Sequence, residues 1–219
     1  MLNDVIKVAR GELGVTESPP GSNRVKYWDD WPGWQGQPWC VAFQWWCFMK
    51  ADESKAFFAG AKTASCGTLY RWYKEQGQTV PKHDVQPGDI VILNFSGTSE
   101  TQHCGLVVDT LKMGYFQTIE GNTSQSGSQS NGGQVCLKTR NLSQVVGVCR
   151  PKYKEGNSVN LEDSTDFDEH WAAPDIRWVI DKGLMQGYPD GTFKPDKPIT
   201  RAEMAVILHR IYSRPKEDE

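Results

Sequence analysis

No apolar run in the sequence approaches the roughly 18 residues that a bilayer-spanning helix requires, so a helical membrane protein is not expected. The N-terminal stretch MLNDVIKVARGELGV lacks the apolar core and small-residue cleavage site of a secretory signal. Its Leu2, Val5, Ile6, Ala9 and Leu13 fall at helical spacing instead, which predicts a first amphipathic helix. The expectation is a chain made in a cytoplasm that does not leave it by the signal-dependent route. A dominant charge is missing too. The net charge is −3, which offers no basic footprint for nucleic acid. The six cysteines include no CxxC pair, so a structural zinc site has little support.

What is present fits a globular chain of 219 residues, 38% hydrophobic and 23% charged, with an unusual nine tryptophans. That length allows one full domain and a small appendage. Residues 1–150 carry 14 basic and 13 acidic side chains, whereas 151–219 carry 10 and 14. A near-neutral front and an acidic tail suggest two units with different roles. The even cysteine count (40, 47, 66, 104, 136, 149) suggests disulfides, but a cytosolic origin disfavours them. Most of these residues are expected to be small buried hydrophobes.

The segment TESPPGSNRVKYWDDWPGWQGQP reads as an ordered loop, followed by a helix from about Pro38 to Lys50 that is apolar on nearly all sides and so buried. SCGTLYRWYKEQG predicts a further helix. From Pro87 the period changes to two, giving strands at DIVILNF, HCGLVVD, YFQTIE, VCLKTR and VVGVCR. The tract GNTSQSGSQSNGGQ between the third and fourth strands is expected to be a mobile loop. Helices followed by a meandering antiparallel sheet make an α+β domain over 1–150. Residues 151–166 read as a linker. The module beyond, 167–219, is a helix–loop–helix whose second helix opens with a capping box, Thr200 and Glu203.

A thiol nucleophile needs a lowered pKa, a base and a group that orients the base. Cys40 stands at a predicted helix start, where the helix dipole favours thiolate; Cys47 lies two turns further in and lacks that advantage. Of the four histidines, His103 heads a strand. If Asp109 pairs with Gly114 across the TLKM connection, His103 falls directly opposite Glu120 on the same face. A one-residue slip would separate them.

At these residues the chain resembles a known family. PWCVAFQWW, PGDIVIL, HCGLVV and TIEGN together are similar to the CHAP domain, the cysteine- and histidine-dependent amidohydrolase/peptidase module of bacterial and phage wall hydrolases. The resemblance implies a papain-like fold, with Cys40 as nucleophile, His103 as general base, Glu120 as its orienting carboxylate and Asn122 as a fourth polar member. Some members bind calcium in an Asp-rich loop before the nucleophile. Here WPGWQGQPW takes that place, with Asp29 and Asp30 further upstream as solvated acids, so no metal is expected there. Trp28, Trp31, Trp34 and Trp39 either line a substrate groove or pack in the core. Trp34, Gln37 and Trp39 are the candidates for substrate contact. The Cys40 backbone N–H is an expected oxyanion donor, and Gln35 or Gln37 could add another.

The tail, through GYPDGTFKPDKPITRAEMA, resembles an S-layer homology module. Such modules hold proteins on secondary polymers of Gram-positive walls, usually as three repeats. Thr200 and Arg201 are then candidates for contact with an anionic polymer, Arg201 having an exposed first-turn residue as its plain alternative. With one copy, wall anchoring would need several chains to associate as a homo-oligomer. The combined expectation is a peptidoglycan hydrolase of the phage endolysin type, acting in the wall after release from the cytoplasm without cofactor, membrane or nucleic-acid partner. The same site chemistry serves N-acetylmuramoyl-L-alanine amidases and peptide endopeptidases, the choice lying in groove shape, and the expectation leans to amidase. A catalytically dead wall-binding protein and a Cys/His metal-binding module are the competing readings.

Overall fold

The computed structural model describes residues 2–154, 166–185, 187–188 and 192–212. The chain divides into two compact units, 1–154 and 155–219. In the first unit, three helices, α1 (Leu2–Gly11), α2 (Cys40–Lys50) and α3 (Cys66–Glu75), precede a sheet. Its strands are β1 (Thr79–Val80), β2 (Ile90–Leu93), β3 (His103–Thr110), β4 (Tyr115–Thr123), β5 (Gln134–Asn141) and β6 (Val145–Cys149). This is the α+β arrangement that the change of period predicts.

The sheet is antiparallel throughout, in the order β1-β6-β2-β3-β4-β5. The meander expected from sequence holds only from β2 to β5; β6 then returns to pair with β2. The apolar run of β2 explains the return. Ile90, Val91, Ile92 and Leu93 are all buried, so this strand is covered on both faces and sits inside the sheet with a neighbour on each side.

Helix α2 is the buried helix that its composition predicts, with every residue from Cys40 to Trp45 buried. It begins at Cys40 with Trp39 as N-cap, so Pro38 lies just outside the helix rather than in its first turn. Two glycines set how closely elements approach. A Cβ on Gly121 would lie 2.6 Å from Phe43 Cβ, which is how α2 settles directly onto β4. A Cβ on Gly147 would collide with the Tyr70 ring at 2.2 Å, so β6 needs the same allowance for α3. Gln44 fastens the first of these contacts, its Nε2 donating to the Ile119 carbonyl at 3.0 Å.

Residues 151–154 pack onto this unit. Tyr153 stacks on Phe48 and donates to the Gly88 carbonyl at 2.6 Å, and Lys154 N–H donates to Glu53. Residues 155–165, the bulk of the expected linker, lie outside the described residues. In the second unit α4 (Ala173–Asp181) and α5 (Arg201–Tyr212) accompany a small core that includes Phe167, Ile176 and Phe193. The expected capping box is present: Glu203 N–H donates to Thr200 Oγ1 at 3.2 Å, and Thr200 N–H to Glu203 Oε2 at 2.8 Å. Positions 186 and 189–191 of the expected turn lie outside the described residues.

Candidate active site

Cys40 is the first residue of α2, and the first helical hydrogen bond runs from Phe43 N–H to the Trp39 carbonyl. The Cys40 N–H therefore lies ahead of the ladder, where helix N–H groups have no intrahelical partner. The residue is only 4% exposed. Two further thiols meet it. Cys66, the first residue of α3, brings its Sγ to 3.7 Å from Cys40 Sγ, and Cys104 on β3 completes a trio of sulfurs all within 4.8 Å of one another. Neither partner was singled out from sequence, because each reads locally as a buried filler. All six cysteines are unbridged.

Thiol hydrogens from Cys104 and Cys66, with His103 adding its charge, hold Cys40 well below the ordinary thiol range against the opposing effect of burial. Cys104 is pushed up by the same contacts with Cys40 and Cys66. At Cys66 the pull of Cys104 is outweighed by Cys40 and burial, and it too rises. The arrangement favours ionisation at Cys40 over its two neighbours. Cys47, by contrast, is driven up by burial, in line with its reading as filler.

His103 and Cys104 are the first two residues of β3, and α2 meets that strand end, so Cys40 interacts with both. His103 is fully buried and its Nε2 lies 3.1 Å from Glu120 Oε2. Burial alone would lower its pKa, but Cys40 and Glu120 outweigh that and hold it at about 9. Neither imidazole nitrogen makes an aligned hydrogen bond, so the contact with Glu120 is one of charge. Catalytic hydrogen bonds are often aligned only once substrate is in place.

The path from His103 to Glu120 differs from the expected one. The register is Leu106 with Ile119 and Val107 with Thr118, and a bulge before Asp109 shifts the strand end, so Asp109 pairs with Gln117 rather than Gly114. Glu120 consequently faces Gly105, whose absent Cβ would lie 2.7 Å from Glu120 Cγ. A displacement of two positions leaves the residue on its original face, so His103 and Glu120 meet diagonally instead of directly.

Glu120 is held from its other side by Arg140 on β5, whose Nε and Nη2 donate at 2.7 and 2.5 Å; Thr118 Oγ1 also donates to it at 2.5 Å. Burial would raise the Glu120 pKa, but Arg140 first and His103 second bring it down to about 2. Arg140 is a site residue that sequence reasoning missed. The available signal was a carboxylate in a buried strand, which requires a countercharge. Arg140 also donates from Nη1 to Gln129 at 2.9 Å, and Lys138 Nζ donates to the Ser124 and Gln125 carbonyls. The Ser/Gly tract expected to be mobile is thus tied to β5. Asn122, buried at φ +59°, has no hydrogen-bond partner for either side-chain polar atom.

Three expectations about binding residues need correction or restriction. Trp39 is fully buried and donates from Nε1 to Glu17 at 2.9 Å, so it belongs to the core and cannot line an open groove. Trp28 and Trp31 are buried as well; Trp34, 42% exposed and stacked on Trp28, is the member of the cluster that meets solvent. Gln35 braces its own loop through both Val25 backbone groups, which occupies its amide; Gln37 is exposed. In the second unit Thr200 is engaged in the helix cap, and Arg201 is exposed.

Parts of both units are similar to known proteins. Residues 31–122 match the CHAP domain. Residues 165–205 match the S-layer homology domain. A cellulosome-anchoring protein of Acetivibrio thermocellus is 38% identical over 73 residues, covering 33% of this chain and 16% of that protein. An S-layer protein of Bacillus licheniformis is 34% identical over 85 residues, 39% of this chain and 9% of its own length. The chain therefore spans a small fraction of these relatives. Among solved structures, the wild-type endolysin LysIME-EF1 is similar at 19% identity and a TM-score of 0.42, covering 70% of this chain and 65% of that one. Among the described residues, no helix is long and apolar enough to cross a membrane.

Proposed function

We propose that the protein hydrolyses peptidoglycan, with Cys40 as nucleophile, and that it acts in a bacterial cell wall as an endolysin does. The observation that carries this reading is a thiol at a helix tip, its pKa held down, beside a buried imidazole that is charge-paired to Glu120 and, through it, braced by Arg140. Cys40 Sγ attacks an amide carbonyl carbon, and the oxyanion forms near the Cys40 backbone N–H. The His103 imidazolium gives its proton to the departing amine, leaving a thioester. Water, deprotonated by the now neutral imidazole, attacks the thioester and releases the acid and the thiol. Glu120 stabilises the imidazolium whenever it is charged, and Asn122, two residues on from Glu120 in β4, keeps its buried amide unpaired.

The bond cut is assigned to the link between glycan and peptide, making the enzyme an N-acetylmuramoyl-L-alanine amidase; an endopeptidase would use the same atoms. Mass analysis of digested Gram-positive walls distinguishes them, since an amidase frees intact glycan strands and an endopeptidase creates new peptide termini. Clearing of a wall suspension by the wild type and its loss in Cys40→Ala tests the catalytic assignment. Equal clearing by the variant defeats it.

The domain assignment belongs to the same proposal: catalysis in 1–150, a linker over 151–166, and wall attachment or assembly in 167–219. Arg201 would meet an anionic wall polymer. Helix α5 has no buried residue, and Met204, Leu208 and Ile211 line one side of it exposed, a surface suited to a second copy supplying the repeats that one module lacks.

A further inference from the structure

We propose that Cys40, Cys66 and Cys104 form a binding site for a divalent thiophilic cation of the zinc class, and that an occupied site holds the nucleophile out of action. The three sulfurs come from three separate elements, the first residue of α2, the first residue of α3 and the second residue of β3. They lie within 4.8 Å of one another, with Cys40 and Cys66 at 3.7 Å. Tetrahedral zinc with Zn–S bonds of about 2.3 Å sets its sulfurs about 3.8 Å apart, so this trio needs little movement to close on an ion. A disulfide, at about 2.05 Å between sulfurs, would demand far more.

Charge agrees with geometry. Bound thiolates are anionic, and two helices of 11 and 10 residues aim their positive ends at this one point. Thiolate donors select zinc or cadmium over calcium or magnesium. Three protein ligands leave the fourth coordination position open, which keeps the ion exchangeable. Among the described residues, this is the group of His, Cys, Asp or Glu side chains gathered closely enough to hold a metal. Neither Asp29 nor Asp30 belongs to it.

The inhibitory half rests on Cys40 being the nucleophile; the binding half does not. A thiolate committed to a cation cannot attack a carbonyl, so the loaded enzyme would be latent until the ion is withdrawn.

The test uses the full chain, reduced with a phosphine, stripped by chelation and titrated with cadmium without substrate. A thiolate-to-cadmium charge-transfer band saturating at one ion per chain is expected, weakened in Cys66→Ser and Cys104→Ser and retained in Cys47→Ala, with folding checked by circular dichroism. Independently of any variant, zinc at about 100 times its Kd should slow alkylation of wild-type Cys40 about 100-fold, and chelator should restore it. Absence of the band together with unprotected Cys40 overturns the site. Binding without loss of wall clearing overturns the latency. Binding in a protein whose metal-free form never clears walls leaves the site standing and defeats the hydrolase reading instead.

Discussion

Arg140 shows what a single side chain contributes to this site. It is 4% exposed and forms a two-pronged contact with a carboxylate that is itself fully buried. Removing one partner of such a pair leaves an uncompensated charge, so Arg140→Ala is expected to destabilise the fold by about 3–5 kcal/mol in urea unfolding. Arg140→Lys should recover only part, because an ammonium cannot make both contacts in the same plane. The titrations of the neighbouring groups have opposite signs. His103, raised from 6.5 to about 9, contributes stability that is complete below about 6.5 and lost as pH rises through about 9. Glu120, lowered from 4.5 to about 2, contributes above about 4.5 and loses that contribution as pH falls toward 2. Cys40, lowered by Cys104, Cys66 and the pairing with His103, gains stability over the interval in which His103 loses it. The clean signal therefore lies on the acid side, where unfolding midpoints should fall from pH 5 downward. Wall clearing should decline through pH 9, since a neutral imidazole cannot protonate the leaving amine; a rate still rising beyond pH 10 would contradict the assigned role. Cys40, His103 and Glu120 were legible because each carries a positional signal: a helix start, a strand start and an acid at matching parity. Cys66 shares the helix-start signal, but neither it nor Cys104 could be placed beside Cys40 from sequence, since only the packing of three elements brings them together.

Among the elements, α2 and β4 form the joint on which the geometry depends. Gly121→Ala would force a methyl group to 2.6 Å from Phe43 Cβ and 2.7 Å from the Trp39 ring, neither of which has room to retreat. The expected cost is about 1–3 kcal/mol, read from chemical denaturation, with slower wall clearing in the surviving folded fraction. At α3, Ser65 accepts from Thr68 N–H at 3.1 Å, so Ser65→Ala should cost about 0.5–2 kcal/mol by the same measurement. Five strands could be read from the period-two pattern. Strand β1, of two residues, is too short to show a period, and the return of β6 to β2 depends on long-range pairing that local sequence does not encode. The bulge before Asp109 was hidden for a related reason: the connection contains Met113 at φ +62°, a conformation that its residue type does not announce.

For the whole molecule, two units with separate cores correspond to the charge asymmetry of the sequence. If α5 pairs with copies of itself, light scattering should report a mass above that of one chain, and Met204→Glu with Leu208→Glu should return it to monomer. A wild-type monomer at working concentration would remove the assembly proposal while leaving the catalytic one intact.

The link from Gln129 through Arg140 to Glu120 joins a surface tract of small polar residues to the innermost charge of the fold. Shortening or stiffening that tract offers an adjustment to catalytic competence made from outside, in a stretch of chain where insertions are ordinarily silent.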